Sequence, residues 1–165
     1  MSEINENAGQ ETEPGTVQET GQGTAEETTA STSVINKAVE SVMDLIDALS
    51  PFASITRGAL GSGNGLTCET APSMVDSVFM DKNVYMPVTL ALNGKHSDLQ
   101  TLSDTLNNIM DTLTRAKTYP DGNGWEIVDI TNGNLPRVIG RDEKNLWLMA
   151  CDLIIKIYRK DDSST

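Results

Sequence analysis

The passage from Val84 to Leu113 constrains the fold most, because its apolar pattern changes from the period of a strand to that of a helix across one short hinge. In its first part, one face is fully apolar: Val84, Met86, Val88, Leu90 and Leu92. This alternation predicts a half-buried strand. Pro87 lies inside it and cannot donate a ladder hydrogen bond, so we expect an edge strand or a bulge here.

A helix is predicted immediately after this strand. Asn93-Gly94 has the composition of a turn, and Ser97 with Gln100 forms a capping-box pattern. An apolar stripe at helical spacing follows: Leu99, Leu102, Leu106, Ile109, Met110 and Leu113. The passage therefore predicts a strand that leads directly into a helix packed on its own sheet.

The N-terminal part of the chain divides in two near Ser33. From Val34 to Leu49, apolar residues recur at helical spacing, and Pro51 ends the pattern. Residues 1–32 instead carry seven Glu, no Lys or Arg and no aromatic residue. We predict a disordered acidic tail over 1–32 and a single α+β domain over 33–165. The tail is either a solvating leader or a segment that folds against a neighbour in an assembly.

The C-terminal region predicts the longest strand, from Leu146 to Tyr158. Its first face is apolar throughout: Trp147, Met149, Cys151, Leu153, Ile155 and Ile157. Its second face mixes Asp152 and Lys156 with aliphatic residues, which suits either solvent or a subunit contact. Before it, a strand is expected over 125–130, a turn at Asn132-Gly133-Asn134, and extended chain over 136–140.

This order of elements predicts a two-layer α+β fold with an antiparallel or mixed sheet. Shorter strands are expected around 54–60, in "LTCET" and over 77–79. Both helices should pack on one face of the sheet, which leaves the other face open to solvent or to a partner.

The chain offers little for catalysis or metal binding. It contains one His and two widely separated Cys, which we expect to be buried free thiols, and no nucleophile–base pair can be assembled from its motifs. We therefore predict no enzyme activity, no cofactor, and no catalytic, metal or cofactor-binding residues. A net charge of −12 disfavours nucleic-acid wrapping, and no apolar run predicts a signal peptide or a membrane partner. A cytoplasmic site of assembly is expected.

Three stretches together resemble the tail terminator proteins of tailed bacteriophages, some of which are called minor capsid proteins. They are "INKAVESVMDLIDAL", "VYMPVTLALNGKHSDLQTLSDTLNNIMDTL" and "WEIVDITNGNLPRVIGRDEKNLWLMACDLIIKIYRK". The resemblance covers Ile35 to Arg159 and is one of element order and length. It carries no short motif, so no functional residue is transferred, and the acidic tail lies outside it.

The resemblance implies a structural virion protein at the head–tail junction. Terminators form a hexameric ring that caps the tail tube, stops the addition of tube subunits and joins the head. The implied partners are further copies of the chain, a tail tube protein and a head-completion or neck protein, while DNA passes through without specific binding. On this hypothesis we expect oligomer contacts on two predicted strands, at Val84, Tyr85, Thr89, Leu148, Asp152, Ile154 and Lys156.

Two alternatives remain open from the sequence. One is another connector or neck protein, or a tail-tube protein, of the same kind of particle. The other belongs to a different class: a cytosolic α+β module that binds a peptide or small ligand on its open sheet face. Oligomeric state separates these, because a tube protein polymerises, a terminator closes, and a binding module stays monomeric.

Overall fold

The computed structural model describes residues 25–71, 77–78 and 83–159, with side chains for 34–71 and 83–159. The chain forms two helices and a mixed, curled sheet, so the predicted α+β class is confirmed. In chain order the elements are α1 Ala25–Ala48, β1 Ile55–Arg57, β2 Gly65–Ala71, β3 Ser77–Val78, β4 Val84–His96, α2 Leu99–Thr114, β5 Asp121–Gly122, β6 Trp125–Arg141 and β7 Trp147–Arg159.

The sheet runs in the order β1-β2-β4-β7-β6-β5, and β3 also pairs with β4. The pairs β2–β4, β4–β7 and β7–β6 are antiparallel, whereas β1 lies parallel to β2. The pairing of β4 with β7 is the longest uninterrupted one, from Val84 opposite Arg159 to His96 opposite Trp147. These two strands are therefore the centre of the fold.

Both helices pack on the same face of this sheet, as the sequence predicts. The core side of β7 consists of the predicted apolar set, with Leu153, Ile155 and Ile157 fully buried. Helix α2 buries its predicted stripe: Leu102, Leu106, Ile109, Met110 and Leu113. Helix α1 contributes Ala38, Val39, Val42 and Ile46 to the same cluster. The buried apolar area of this single core drives the two layers together.

Helix α1 is longer than predicted. It begins at Ala25 rather than near Ser33, so residues 25–32 of the predicted tail are helical in backbone. The remainder of that tail, residues 1–24, lies outside the described residues.

Strand β4 is central, and the prediction of an edge strand is wrong. β7 pairs with it along one side, while β2 and β3 pair with it along the other. On that second side the described pairs join Thr89 to Lys95 with β2 and Val84 and Tyr85 with β3. On the other side Pro87 stands opposite Lys156, within the ladder that β4 forms with β7.

Two predicted turns are instead parts of strands. β4 continues through Asn93-Gly94 to His96, because β7 supplies a partner for every residue up to that point. Asn132-Gly133-Asn134 belongs to β6, a strand of 17 residues whose register with β7 shifts four times between Ile127 and Gly140. Bulges of this kind absorb turn-forming residues without ending a strand. β6, not β7, is thus the longest strand.

The start of α2 also differs by one residue from the prediction. Asp98, not Ser97, is the N-cap: its Oδ2 accepts hydrogen bonds from the Thr101 amide at 2.7 Å and from the Thr101 hydroxyl at 2.6 Å. These bonds, the hydroxyl foremost, lower the pKa of Asp98 because they stabilise the carboxylate. The cap fixes the angle at which α2 returns over β4.

Gly94 allows α2 to approach β4 closely. A Cβ atom at this position would lie 2.5 Å from Leu102 Cδ1 and 3.2 Å from Leu66 Cδ2. Leu102 is fully buried, so its side chain has no free space into which to move. The glycine of the predicted turn therefore serves helix–sheet packing instead.

We expect Gly94→Ala to lower the free energy of unfolding by about 1–3 kcal/mol, the usual cost of overpacking a dense core. Urea denaturation followed by circular dichroism measures this change. Gly63→Ala is the control, because its added Cβ would have no atom within 4 Å. Equal stability of the two variants would contradict the close packing of α2 on Gly94.

Candidate assembly surface

The open face of the sheet, on the side opposite the helices, contains most of the predicted contact residues. Tyr85 and Thr89 of β4 stand opposite Tyr158 and Ile154 of β7, and the two tyrosine rings lie 5.0 Å apart. Asp152 and Lys156 occupy alternate positions on the same side of β7, and Leu148 lies farther along that side. The structure thus groups six of the seven predicted residues on one face.

Val84 is the exception among the predicted contact residues. It stands at the start of β4 and packs against the helix-side core, on the same face as the buried Met86. The alternation of side chains along a strand puts it opposite to Tyr85. The structure therefore does not bring Val84 to the open face.

Charges on the open face differ in their surroundings. The Asp152 carboxylate accepts a hydrogen bond from the Asn134 side-chain amide of the neighbouring strand β6. Lys156 is the exposed residue of β7, and the described part of the chain places no hydrogen bond or ion pair on its side chain. Lys156 is consequently a solvated cation in the single subunit.

The outer side of β6 is covered only near its start. β5 pairs with Trp125 and Glu126, and the Ile127 amide donates to the Pro120 carbonyl at 3.2 Å. Beyond this point, over residues 132–141, no described residue pairs with the outer side of β6. We call residues 132–141 the distal edge.

The distal edge is unusually apolar for an exposed strand. The large hydrophobic residues with the greatest exposure in the described chain all lie on β6: Leu135 at 67%, Ile139 at 60%, Val138 at 48% and Val128 at 45%. Three of these four belong to the distal edge. Unpaired strand edges with exposed apolar side chains are templates for pairing with another chain.

The distal edge also carries two exposed arginines and no acidic residue. Arg141 lies over the Trp147 ring, with Cζ 3.7 Å from its centroid, and donates to Asn145 at 2.6 Å. The Arg137 side chain has no hydrogen bond or ion pair with any described residue. A free cation therefore stands beside the apolar side chains of this edge.

The turn after β6 anchors the distal edge to the centre of the sheet. Asp142 accepts hydrogen bonds from the Lys144 and Leu146 amides, each at 2.9 Å. It also forms an ion pair with Lys95, whose Nζ lies 3.2 Å from Asp142 Oδ2. The Leu146 amide is the main cause of a lowered Asp142 pKa. Lys95 is only 7% exposed, so this charge pair ties the turn firmly to β4.

A cleft of about 330 Å³ lies between α1 and the strands β1 and β2. Its lining is formed by Val39, Arg57, Gly58, Cys68, Glu69 and Thr70. The Arg57 guanidinium donates to the Asn36 side chain and carbonyl, both at 3.0 Å, and lies 3.7 Å from Glu40. The Arg57 guanidinium, which lines this cleft, therefore already binds α1 and joins it to β1.

The described residues contain neither a metal-binding cluster nor a membrane-spanning helix. Within 34–71 and 83–159, no group of three or more His, Cys, Asp and Glu side chains is placed to hold a metal ion. Neither described helix is long and apolar enough to cross a membrane. The only histidine, His96, accepts a hydrogen bond from the Asp98 amide at 2.9 Å through Nδ1 and lies against Phe52.

Comparison with known proteins adds no relative. No known protein-family model matches the chain, and no curated protein matches it either.

The distal edge is not evident as a surface from the sequence. Asn132-Gly133-Asn134 predicts a turn, which separates the second half of β6 from the first. Three aliphatic residues at 135, 138 and 139, in a stretch without regular alternation, are the signal that could have found it. Such a run has too many apolar side chains for one buried face.

We expect neither thiol to react in the native chain. Cys68 and Cys151 are buried, and burial raises both thiol pKa values, that of Cys151 to about 12. The thiolate, which is the nucleophile, is therefore scarce at pH 8. Reaction with a chromogenic disulfide at pH 8 should be slow natively and complete in urea. A fast native reaction of one thiol would contradict its buried position.

Proposed function

We propose that the chain is a structural subunit that closes into a ring through its sheet and acts as a tail terminator at the head–tail junction of a tailed bacteriophage. The observation that carries this proposal is the distal edge of β6, where Leu135, Val138 and Ile139 are exposed along a strand whose outer side pairs with no described residue. On this reading the chain works by surface complementarity and without catalysis or a cofactor.

The arrangement of surfaces favours a contact between unlike faces. The distal edge lies at one side of the sheet, whereas β1 lies at the other. A contact between two different surfaces repeats from one copy to the next, and it gives a ring if the rotation closes and a filament if it does not. The resemblance to terminators favours a closed hexamer. Its further partners would be the tail tube protein and a neck protein.

The charge of the chain suits this role. With 24 acidic and 12 basic residues, the subunit as a whole repels the phosphate backbone. A ring through which DNA passes needs such a surface, since a basic lumen would retain the nucleic acid. The virion, at the head–tail junction, is the proposed location.

Another connector, neck or tail-tube protein shares these features and remains the nearest alternative. A candidate of a different class is supported by the cleft beside Arg57, which has a volume within the range of small-ligand sites. A binding module built on that cleft would have no use for the exposed apolar residues of the distal edge. We therefore place assembly first.

Native mass as a function of concentration is the primary test. A closed ring of six 17.8 kDa subunits has a mass of about 107 kDa, and negative-stain images of the same samples should show discs with a central hole. Long tubes would instead indicate a tail-tube protein. A monomer at every concentration, alone and with purified tail tubes, would refute the ring.

The double variant Leu135→Glu/Ile139→Glu should lose the ring and remain a folded monomer. Both side chains are more than half exposed, so the substitutions leave the core intact while they place two charges on the contact. Val128→Glu is the matched control: it adds a charge at an exposed apolar residue of the same strand outside the distal edge. Native mass spectrometry reads the outcome. A ring that survives the double variant would exclude the distal edge as a contact.

Lys156→Glu tests the open face separately. If this face also meets a neighbour, reversing its solvated cation should weaken assembly by about fivefold or less per contact, the range of exposed charge pairs. The concentration at half-assembly, measured by light scattering, gives this value. An unchanged concentration would remove Lys156 from the contact and leave the distal edge as the sole candidate.

A further inference from the structure

We propose that the distal edge of one subunit is covered by the acidic leader of the next, with residues Thr16 to Thr20 added alongside β6 as an extra strand. This inference rests on the proposed ring and specifies its contact. The neighbouring copy would thus donate residues 1–24, which precede α1 in the sequence.

The chemistry of the distal edge fits an added strand. An extended segment that pairs with an exposed sheet edge gains main-chain hydrogen bonds, and side chains at alternate positions provide selectivity. Pro136 lacks an amide hydrogen and divides the edge, so the stretch that can pair beyond it is Arg137–Arg141, five residues long with a bulge between Val138 and Gly140. A short strand is therefore sufficient to fill it.

The leader contains a segment of matching length. "TVQET", Thr16 to Thr20, is bounded by Gly15 and Gly21. Three of its five residues are β-branched, the side-chain type that strands favour. Val17 is one of only two large aliphatic residues in 1–24 and supplies an apolar side chain to set against those of the distal edge.

Charge is complementary between the two segments. Residues 1–24 carry five Glu and no Lys or Arg, whereas the distal edge carries Arg137 and Arg141 and no acidic residue. Arg137 has no described partner, and Glu19 lies within the five-residue segment. Opposite charges across a contact steer association and suppress wrong registers.

The position of α1 indicates that the leader comes from another copy. The Asp47 side chain accepts a hydrogen bond from the Ile55 amide. Residues paired across the sheet connect Ile55 with Val138 of the distal edge, by way of Leu66, Gly94 and Met149. The Asn36 carbonyl accepts a hydrogen bond from the Arg57 guanidinium. Residues paired across the sheet connect Arg57 with Cys151, by way of Cys68 and Leu92. Along the strand direction, the C-terminal end of α1 is therefore level with the distal edge, and its N-terminal end points away from that level.

The tilt of α1 supports the same conclusion. The helix from Asn36 to Asp47 covers the two strand residues from Arg57 to Ile55, which is about 7 Å along the strands. The helix from Asn36 back to Ala25 has the same length and continues in the opposite direction along the strands, away from the pairs of the distal edge. This direction favours the edge of a neighbouring copy as the partner of the leader.

A mixing experiment with two full-length variants tests the exchange. Val17→Pro removes an amide hydrogen from the donated strand and leaves its own distal edge intact. Leu135→Glu/Ile139→Glu places two negative charges on the distal edge and leaves the leader of that variant unchanged. Each variant alone should be a monomer. Their mixture should give a dimer of twice the 17.8 kDa subunit and nothing larger, because one productive contact remains. Native mass spectrometry resolves these species.

Ile4→Pro is the matched control, because it alters the other aliphatic residue of the leader outside Thr16–Thr20 and should assemble like the natural chain. A ring formed by the Val17→Pro variant at the natural concentration would overturn the exchange and leave the ring proposal standing. Absence of a ring in the natural chain would instead refute the proposed function itself. A mixture that remains monomeric would show that the leader does not pair with a neighbour's edge.

Discussion

The pairing of β4 with β7 is the constraint on which the rest of the structure depends. Thirteen residues of each strand pair without a register shift, so each side chain of one strand has a fixed neighbour on the other. The apolar residues of both strands therefore face the helices together, and the mixed residues face away together. β2 and β3 attach to one side of this pair, β6 attaches to the other, and both helices pack on the apolar face, while β1 and β5 pair with β2 and β6.

The sheet ends differently on the two sides of this central pair. Toward β1 the sheet is closed off by α1, through Asp47 bonded to the Ile55 amide and Asn36 bonded to Arg57. Toward β6 it ends in a strand that is longer than its outer neighbour β5. Natural sheets cover or charge such edges. Here the edge carries aliphatic residues and an unengaged arginine, which favours a partner of opposite charge.

Local anchoring makes this edge suitable for specific contact. The ion pair of Lys95 with Asp142 ties the turn after β6 to β4, and Gly94 lets α2 sit directly on the same end of the sheet. A strand held in place by its neighbours loses less conformational entropy on binding than a free segment. The apolar residues 135, 138 and 139 are therefore held by strands that are fixed on the rest of the sheet.

The sequence by itself determined the two amphipathic helices, the two faces of β7 and the burial of both thiols, because the period of apolar residues depends only on local geometry. It also put Tyr85 and Thr89 on one face of β4, and Asp152, Ile154 and Lys156 on one face of β7, as the structure has them. Only the tertiary structure decided that β4 is central despite Pro87, that Asn93-Gly94 and Asn132-Gly133-Asn134 continue strands, and that β6 leaves an open edge. These outcomes depend on which strands become neighbours, and a long partner strand overrides the turn preference of a few residues.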